Sequence, residues 1–504
     1  IPMCVLNEVK GMKLNMKKIE KNIDKVFLTV QKMNGKSSDI KTRKIMQDES
    51  QIGILFLQSV SSDDKISDIL IHSIMEIMES SHLTGKNLLQ ELYNHLYNGT
   101  IKEITTYQDL FYHLVNGFTA ILVEGENKAI VVETKSTLDR GIQESNTETS
   151  LRGPKDSFTE NIVVNLGLIR KRIKDPNLYF EELFVGRRTK TKINLAYLSD
   201  VADQERVEKL KKRLQEIDID GVLDSGNLRS FLNPQKSAFP KIMSTERPDF
   251  VCGYLLEGKI AILVENTPFV LIFPTLFIDF IHTPGDYYQK TKNVNFSRFL
   301  RILGFFVTLL VPAAYVAIMT YNPEMIPDKL FISVAIQREG VPFPTAIEIL
   351  MLGITFELLR ECDLRMPSKM GTAISVVGGL VLGDAAVNAG IVSPFAVIIV
   401  AMTSVAGLLF TDIDMVNALR WWRLIFIFFA SICGMIGVVI ASIMLITHLS
   451  TLETFGIPYL TPFAPFYLKE QNDALFLTEK SKIKNRPRYL SSKNKKRLNW
   501  EVKK

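Results

Sequence analysis

The chain has 504 residues, of which 47% are hydrophobic and 23% charged, and its formal net charge is +6. Its four cysteines show no CxxC spacing and its six histidines form no HExxH or HxH motif, which argues against a disulfide scaffold, a zinc ribbon and a histidine-rich metal enzyme. A mean hydropathy of +0.13 at this charge content implies that polar and very apolar stretches are segregated along the chain, as in a polytopic membrane protein with a large soluble part.

Basic residues are concentrated at both ends of the chain. Residues 1–46 carry +7 and residues 478–504 carry +9, so the residues between them carry −10. We predict that 1–46 is a disordered tail, and because it lacks the continuous apolar core of a signal peptide, we expect the N-terminal part to stay in the cytoplasm. Beside membrane segments, basic flanks favour membrane lipid as a partner over nucleic acid.

Residues 47–300 alternate between helix-like and strand-like patterns. These patterns predict an α/β region of two subdomains, 47–175 and 176–298. Strand patterns occur at 51–60 and 183–198, and amphipathic helix patterns occur at 66–79, 157–174 and 201–217.

An internal repeat lies within this region. The pentapeptide AILVE occurs at Ala120–Glu124 and again at Ala261–Glu265, after the similar lead-ins DLFYHLVNG and DFVCGYLLEG. Each copy predicts a helix followed by two strands around a tight polar turn, at 125–127 and at 266–267. The two copies favour two related subdomains with mixed sheets. Coincidence is the alternative, since only the pentapeptide is identical.

The soluble part contains no nucleophile–base pair, metal-ligand set or phosphate-binding loop, so we expect no enzymatic activity, cofactor or metal site. One glycine-bearing loop leads into the helix predicted at 157–174. Its Arg152, Gly153 and Lys155 could hold an anion there, because the N–H groups at a helix N-terminus favour negative charge. The alternative is a capping loop with Asp156 or Ser157 as the N-cap.

Apolar runs predict a helical transmembrane domain over 299–450, followed by a C-terminal segment, 451–504, that ends in the basic tail. Uncharged spans are predicted at 303–321, 392–410 and 424–449, and candidates with polar residues at 346–362 and 373–389. Basic residues before the first span place the N-terminal side in the cytoplasm. Five complete spans would put the basic tail on the opposite side. We therefore expect 346–362 to be an incomplete crossing, unless an additional stretch crosses.

Four polar side chains lie inside these candidates and are predicted to line a pore or to bond between helices: Glu348, Glu357, Asp384 and Asn388. For the group in 346–362, the alternative is an interfacial helix with solvated charges, in which Glu357 and Arg360 neutralise each other. The spacing of Gly379 and Gly383 predicts a smooth face for close helix packing.

Several long motifs are similar to those of one protein family. They are LRGPKDSFTENIVVNLGLIRKRI, STERPDFVCGYLLEGKIAILVENTPFVLIFPTLF, DYYQKT, REGVPFPTAIEILM and ELLRECDLRMP, and they extend in the same order over most of the chain. In these motifs the chain resembles the A subunit of GerA-type spore germination receptors.

The resemblance implies a multi-pass subunit of a nutrient receptor in the inner membrane of a bacterial endospore, with the N-terminal region and the C-terminal tail on the spore core side. It implies two partners, a transporter-like B subunit and a lipoprotein C subunit. It also implies a homo-oligomer, expected to be a pentamer, that acts as a ligand-gated ion channel and starts germination. A nutrient transporter and an accessory germination paralogue without nutrient specificity are the alternatives.

Overall fold

The computed structural model describes residues 17–35, 37–47, 50–81, 83–96, 100–136, 148, 152–232, 237–365, 379, 381–479, 482–490 and 494–497. The chain divides into two compact units. The α/β unit comprises the described residues of 1–234, 244–274 and 483–504, and the helical unit comprises those of 235–243 and 275–482.

The first half of the α/β unit is a five-stranded sheet with helices. Its elements are α1 (Ile23–Met33), β1 (Ile40–Gln47), β2 (Ser50–Leu57), a π-helical segment (Lys65–Ile71) that continues into α2 (His72–Ser81), α3 (Gly85–His95), β3 (Ile101–Ile104), α4 (Tyr107–Val115), β4 (Phe118–Val123) and β5 (Ala129–Glu133). The strand order is β1-β2-β4-β5-β3.

The second half contains α5 (Ile162–Arg172), β6 (Leu178–Val185), β7 (Thr191–Leu198), α6 (Gln204–Gln215), α7 (Ser225–Leu232), β8 (Met243–Thr245), α8 (Pro248–Glu257), β9 (Ile260–Val264) and β10 (Val270–Phe273). Its strand order is β6-β7-β9-β10-β8. Element order and strand order are therefore the same in both halves, and the two AILVE segments lie at equivalent positions, in β4 and β9.

The prediction of mixed sheets is wrong for the first half. All four of its ladders are antiparallel. In the second half, the ladders β6–β7, β7–β9 and β9–β10 are antiparallel too. For four of these ladders the reason is local, because they are hairpins, and a short turn can join strands only in antiparallel fashion. The four hairpins are β1–β2, β4–β5, β6–β7 and β9–β10.

Residues 17–46 are part of the first half rather than a disordered tail. They contain α1 and β1, and α1 buries Ile23, Val26, Phe27 and Val30 along one face. This spacing of three and four residues is that of an amphipathic helix, which the surrounding lysines obscure in the sequence. The boundary predicted at 176 between the two subdomains lies earlier in the chain, before α5, because α5 packs against α8 and β9 of the second half.

A buried ion pair joins the two halves. Arg170 of α5 donates to both carboxylate oxygens of Asp39 at 3.2 Å, and both side chains are almost fully buried. Ser37 and Ser59 donate to the same carboxylate at 2.7 and 2.9 Å. Asp39 thus accepts four hydrogen bonds from three residues, as a buried charge requires.

The helical unit is built from helices, most of them apolar, that range from short to very long. They are α9 (Thr291–Thr320), α10 (Asp328–Gln337), α11 (Thr345–Arg365), α12 (381–388), α13 (Pro394–Gly407) and α14 (Ile413–Thr451), followed by the short strands β11 (Glu453–Thr454) and β12 (Ile457–Pro458) and by α15 (Gln471–Ala474). In the described part of the chain, α9 and α14 are long and apolar enough to cross a membrane. The sequence patterns did not predict α10.

α14 is a helical hairpin rather than one long rod. Gly434 lies within it at φ 60° and ψ −138°, a conformation that interrupts the helix and that suits glycine. The rings of Trp422 and His448 lie 5.4 Å apart, whereas a straight helix would separate these residues by about 39 Å at 1.5 Å per residue. The single span predicted at 424–449 is therefore wrong, since it contains the turn and parts of both arms.

The hairpin turn packs on the end of α9. The Tyr321 hydroxyl donates to the Ser431 carbonyl at 2.9 Å, and Asn322 Oδ1 accepts from the Met435 N–H at 3.1 Å. We call this the distal end of the helical unit. The start of α9 and both ends of α14 lie at the opposite, proximal end.

α13 runs antiparallel to α9. Near its start, Phe395 lies 5.5 Å from Tyr315, measured between ring centroids. Near its end, Ala406 lies beside Gly304, where an added Cβ would come within 3.2 Å of the Ala406 carbonyl oxygen. α13 therefore begins at the distal end and ends at the proximal end.

A cluster of charges holds the start of α9. Asp286 accepts from Arg298 at 3.3 Å and from two nitrogens of Arg301 at 2.8 Å. Arg298 also donates to the Asp473 carbonyl at 2.7 Å. Burial acts to raise the pKa of Asp286, but the hydrogen bond and charge of Arg301, with the charge of Arg298, outweigh it and lower that pKa. The charged carboxylate thus helps to fix α9 next to α15.

The basic C-terminal segment packs on the α/β unit where it is described. Arg486 donates to the Leu256 carbonyl at 2.7 Å, and Asn494 donates to Asp200 at 3.1 Å. Arg206 of α6 donates to the Leu490 carbonyl at 3.3 Å. Residues 483–490 and 494–497 are therefore part of a folded unit, which a count of their charges does not reveal.

Candidate functional site in the helical unit

A cavity of about 470 Å³ lies between α9, α11, α13 and the first arm of α14. Its walls are mostly apolar, with Pro312, Ile349, Gly353, Val400 and Ile427 among the lining residues. One end is polar. The side chains there are Glu357 and Glu361 of α11 and Asn417, Arg420 and Arg423 of α14.

Glu357 is the centre of the polar end. Its carboxylate lies 2.9 Å from Arg420 and 3.0 Å from Arg423. Asn417 accepts from Arg420 at 3.1 Å. Glu357 is 31% exposed and Arg423 12%, so the attraction acts in a partly desolvated environment and links α11 to α14.

The structure therefore places Glu357 in an interhelical network. Its close partners, Arg420 and Arg423, are on another helix, and Arg360, which the sequence offered as the partner, adds a further charge that interacts with Glu357. The hydropathy pattern does not select Arg420 and Arg423, because they lie just before the uncharged run at 424–449. The signal that could have found them is their position at the border of a predicted membrane span, where a charge needs water or an acidic partner.

Glu348 occupies a second polar site at the distal end. It is fully buried and accepts from the Ser393 N–H at 2.5 Å and from the Ser393 hydroxyl at 2.6 Å. Arg338, at the end of α10, lies 3.6 Å from the same carboxylate. Glu348 thus holds together the ends of α10, α11 and α13, and it does not face the cavity described above.

Asp384 and Asn388 lie together on α12. Asn388 donates to Asp384 at 3.1 Å, and this contact is exposed. The structure does not bring this pair to the cavity. Because the pair is exposed, its predicted role in lining a pore would require other copies of the chain, and this role stays a prediction.

Gly379 and Gly383 do not form a tight helix contact with the described residues of this chain. An added Cβ at Gly379 would meet nothing within 4 Å, and one at Gly383 would meet Val397 at 3.8 Å, an ordinary van der Waals distance. The predicted close packing at Gly379 and Gly383 would therefore have to involve a helix of another chain, and it stays a prediction.

The predicted anion loop is not at a helix N-terminus. α5 begins at Ile162, and the Asn161 side chain accepts from the N–H groups of Val163 and Val164, so Asn161 is the N-cap instead of Asp156 or Ser157. The predicted anion-binding residues, Arg152, Gly153 and Lys155, are all exposed and precede an extended segment. Gly153 takes a positive φ of 120°. Asp156 accepts from Arg172, which ties the loop to the last turn of α5.

Within the described residues, His, Cys, Asp and Glu side chains form no group of three or more that could hold a metal ion.

Residues 29–489 match the family described as Bacillus/Clostridium GerA spore germination protein. The chain belongs to this GerA family. Its relatives include spore germination protein KA of Bacillus subtilis (strain 168), which is 38% identical over 95% of this chain and 88% of KA. Spore germination protein GerLA of Bacillus cereus is 34% identical over 94% of this chain and 97% of GerLA.

A solved structure is also similar to this GerA family chain. It is the crystal structure of the N-terminal domain of the A subunit of the Bacillus megaterium spore germinant receptor GerK3, with 30% identity and a TM-score of 0.43. The match covers 52% of this chain and 98% of that domain.

Proposed function

We propose that this chain is the A subunit of a nutrient germinant receptor in the inner membrane of the spore. It works with a transporter-like B subunit and a lipoprotein C subunit, and copies of it assemble, as a pentamer, into an ion channel that opens in response to nutrient. Membership of the GerA family over residues 29–489 carries this proposal.

Exposed apolar side chains in the helical unit support its place in a membrane. Phe306 of α9 is 51% exposed, Leu358 of α11 62% and Ile436 of α14 72%. Large apolar surfaces of this kind require lipid or a partner, since monomeric soluble proteins rarely expose them.

The positions of the chain ends support an even number of crossings. The chain enters α9 and leaves α14 at the same, proximal end, and residues 483–497 belong to the α/β unit, where described. The break at Gly434 supplies the additional crossing that the tail requires. With the α/β unit in the spore core, the C-terminal segment lies there as well, and 346–362 need not be an incomplete crossing.

Ion conduction is assigned to the acidic and amide side chains of the apolar helices. A path for cations requires polar groups along it, and Asp384 and Asn388 are exposed on the surface of this chain, where copies can share them. The open faces at Gly379 and Gly383 would let neighbouring helices approach in the assembly.

Release of monovalent cations from spores that depend on this chain, with its B and C subunits, tests the proposal. Asp384→Leu should alter nutrient-triggered release by about tenfold, the effect of about 1.4 kcal/mol on a rate. Asp218→Asn is the matched control, because Asp218 is 72% exposed in the α/β unit. Equal release by both variants, with equal amounts of receptor in the membrane, would argue against a path along α12.

A further inference from the structure

We propose that the cavity of the helical unit binds a phospholipid whose only charge is that of its phosphate, as in phosphatidylglycerol. The acyl chain occupies the apolar part of the cavity, and the phosphate lies at its polar end. This inference rests on the membrane location given under the proposed function, and it concerns a ligand that the proposed function does not name.

The polar end of the cavity carries a net positive charge. Arg360 of α11 interacts with all four of the charged side chains that line this end. They are Glu357, Glu361, Arg420 and Arg423. Three arginines and two glutamates leave a charge of +1 on this cluster of described residues. Such a cluster attracts an anion and repels an ammonium group.

The arginines of this cluster are not satisfied by their partners in the chain. In the described part of the chain, Arg360 makes no hydrogen bond and no close ion pair. Arg420 contacts Glu357 and Asn417, but its buried Nε–H has no acceptor among the described residues. A guanidinium has five N–H donors in a planar fork, and this geometry matches the oxygens of a phosphate. The unused donors therefore suit the phosphate of a lipid.

The polar end lies in the proximal part of the helical unit. Arg420 is seven residues from the start of α14 and fourteen from the turn at Gly434, about 10 and about 21 Å along the helix. With the α/β unit in the spore core, this part lies in the leaflet next to the core, which corresponds to the cytoplasmic leaflet. Basic pockets between transmembrane helices on that side of a membrane bind acidic head groups.

The rest of the cavity suits an acyl chain. Its volume of about 470 Å³ lies within the range of about 300–1,000 Å³ of small-molecule sites, and its walls are mostly apolar. Ile354, Leu358 and Trp421 line it and are 58, 62 and 65% exposed. The cavity therefore opens on the surface that faces lipid in a bilayer, and an acyl chain can enter it sideways from the membrane.

The charge of the cluster favours one class of lipid. Phosphatidylethanolamine and phosphatidylcholine carry a positive group beside the phosphate and have no net charge, so they gain less from a positive site. One Lys or Arg near a membrane surface adds about 1 kcal/mol to the attraction of an acidic lipid, close to fivefold in affinity. The cavity should therefore prefer phosphatidylglycerol to either of the other lipids by about fivefold.

The test is native mass spectrometry of the full chain in detergent micelles with added dioleoyl phosphatidylglycerol, phosphatidylethanolamine or phosphatidylcholine. We expect one retained phosphatidylglycerol per chain. Arg360→Gln makes the cluster neutral and should remove the fivefold preference, whereas Arg360→Lys should keep it. Lys329→Gln is the matched control, because it removes an equal charge from the exposed surface of α10, and it should leave the preference unchanged. Equal retention of the three lipids by the unaltered chain, or an equal preference in Arg360→Gln and Lys329→Gln, would overturn the inference.

Two further arms test the apolar part of the site. Gly353→Leu should fold, because its side chain enters open space, and it should displace the lipid. Gly407→Leu is the matched control, since an added Cβ there also meets nothing within 4 Å and Gly407 does not line the cavity. An excess of glycerol phosphate, which has the phosphate without acyl chains, should leave the bound lipid in place.

Three outcomes of these arms would overturn the inference. They are displacement of the lipid by glycerol phosphate, equal retention of lipid by the two glycine variants, and a second copy of the chain seated in the cavity in place of the lipid. A chain that stays monodisperse without detergent would instead refute the membrane location of the proposed function.

Discussion

Replacing Glu357 by glutamine removes the charge that holds Arg420 and Arg423 but keeps the size and shape of the side chain. The two contacts, at 2.9 and 3.0 Å, join α11 to the first arm of α14. Breaking a fully buried ion pair costs about 3–5 kcal/mol, whereas an exposed pair contributes about 0–1 kcal/mol. At 31% exposure Glu357 lies between these limits.

We therefore expect Glu357→Gln to lower the free energy of unfolding of the helical unit by about 2 kcal/mol, intermediate between these cases. For a unit of this size that corresponds to a fall in melting temperature of about 4–8 °C. Thermal unfolding of the full chain in detergent, followed by the fluorescence of Trp421 and Trp422, measures it.

A double-mutant cycle with Arg420→Gln isolates the contact. The two substitutions should be non-additive by about 1 kcal/mol, because the second removes a partner already lost. Asp218→Asn is the control at an exposed ion pair in the α/β unit. If Glu357→Gln shifts the melting temperature no more than Asp218→Asn does, the carboxylate is solvated and does not link the helices.

Three further predictions concern other parts of the chain. Asp39→Asn should destabilise the α/β unit by about 3 kcal/mol, because Arg170 would keep a buried, uncompensated charge, and hydrogen exchange of α5 amides should accelerate accordingly; unchanged exchange would contradict this. Gly437→Ala should disrupt the α14 hairpin, because its Cβ would lie 2.0 Å from the Phe429 carbonyl oxygen; a melting temperature equal to that of the unaltered chain would exclude this packing. Burial of Lys241, only partly offset by the charge of Glu453, lowers its pKa to about 8 from the usual 10.5. Between those values the unfolded chain binds more protons, so stability should rise with pH through that window, and in Lys241→Met this rise should be absent from pH-dependent unfolding curves.

The sequence indicated the division into an α/β part and an apolar helical part, and the AILVE repeat predicted two related subdomains. These features depend on local patterns of apolar residues, which a linear sequence records directly. It also placed acidic residues on apolar helices, because such residues are rare there and need partners. The sequence pattern did not predict α1, which lies in the segment expected to be disordered, because lysines are interspersed with its apolar residues.

The partners of those acidic residues came from the tertiary structure. Glu357 meets Arg420 and Arg423 more than sixty positions away, and Glu348 meets Ser393, and no local spacing encodes such pairs. The same holds for the C-terminal segment, whose basic residues read as a tail but which packs on the α/β unit through Arg486 and Asn494.

The turn at Gly434 shows most clearly what the sequence by itself leaves open. A turn in a soluble protein is marked by polar residues that satisfy its backbone, but this one lies in an uncharged and mostly apolar run. Its Met435 N–H is satisfied by Asn322 and its Ser431 carbonyl by Tyr321, both at the end of α9. The sequence alone therefore determined that this stretch is helical and apolar. Only the packing of a distant helix decided that it folds back on itself, because that helix supplies the hydrogen bonds that the turn would otherwise lack.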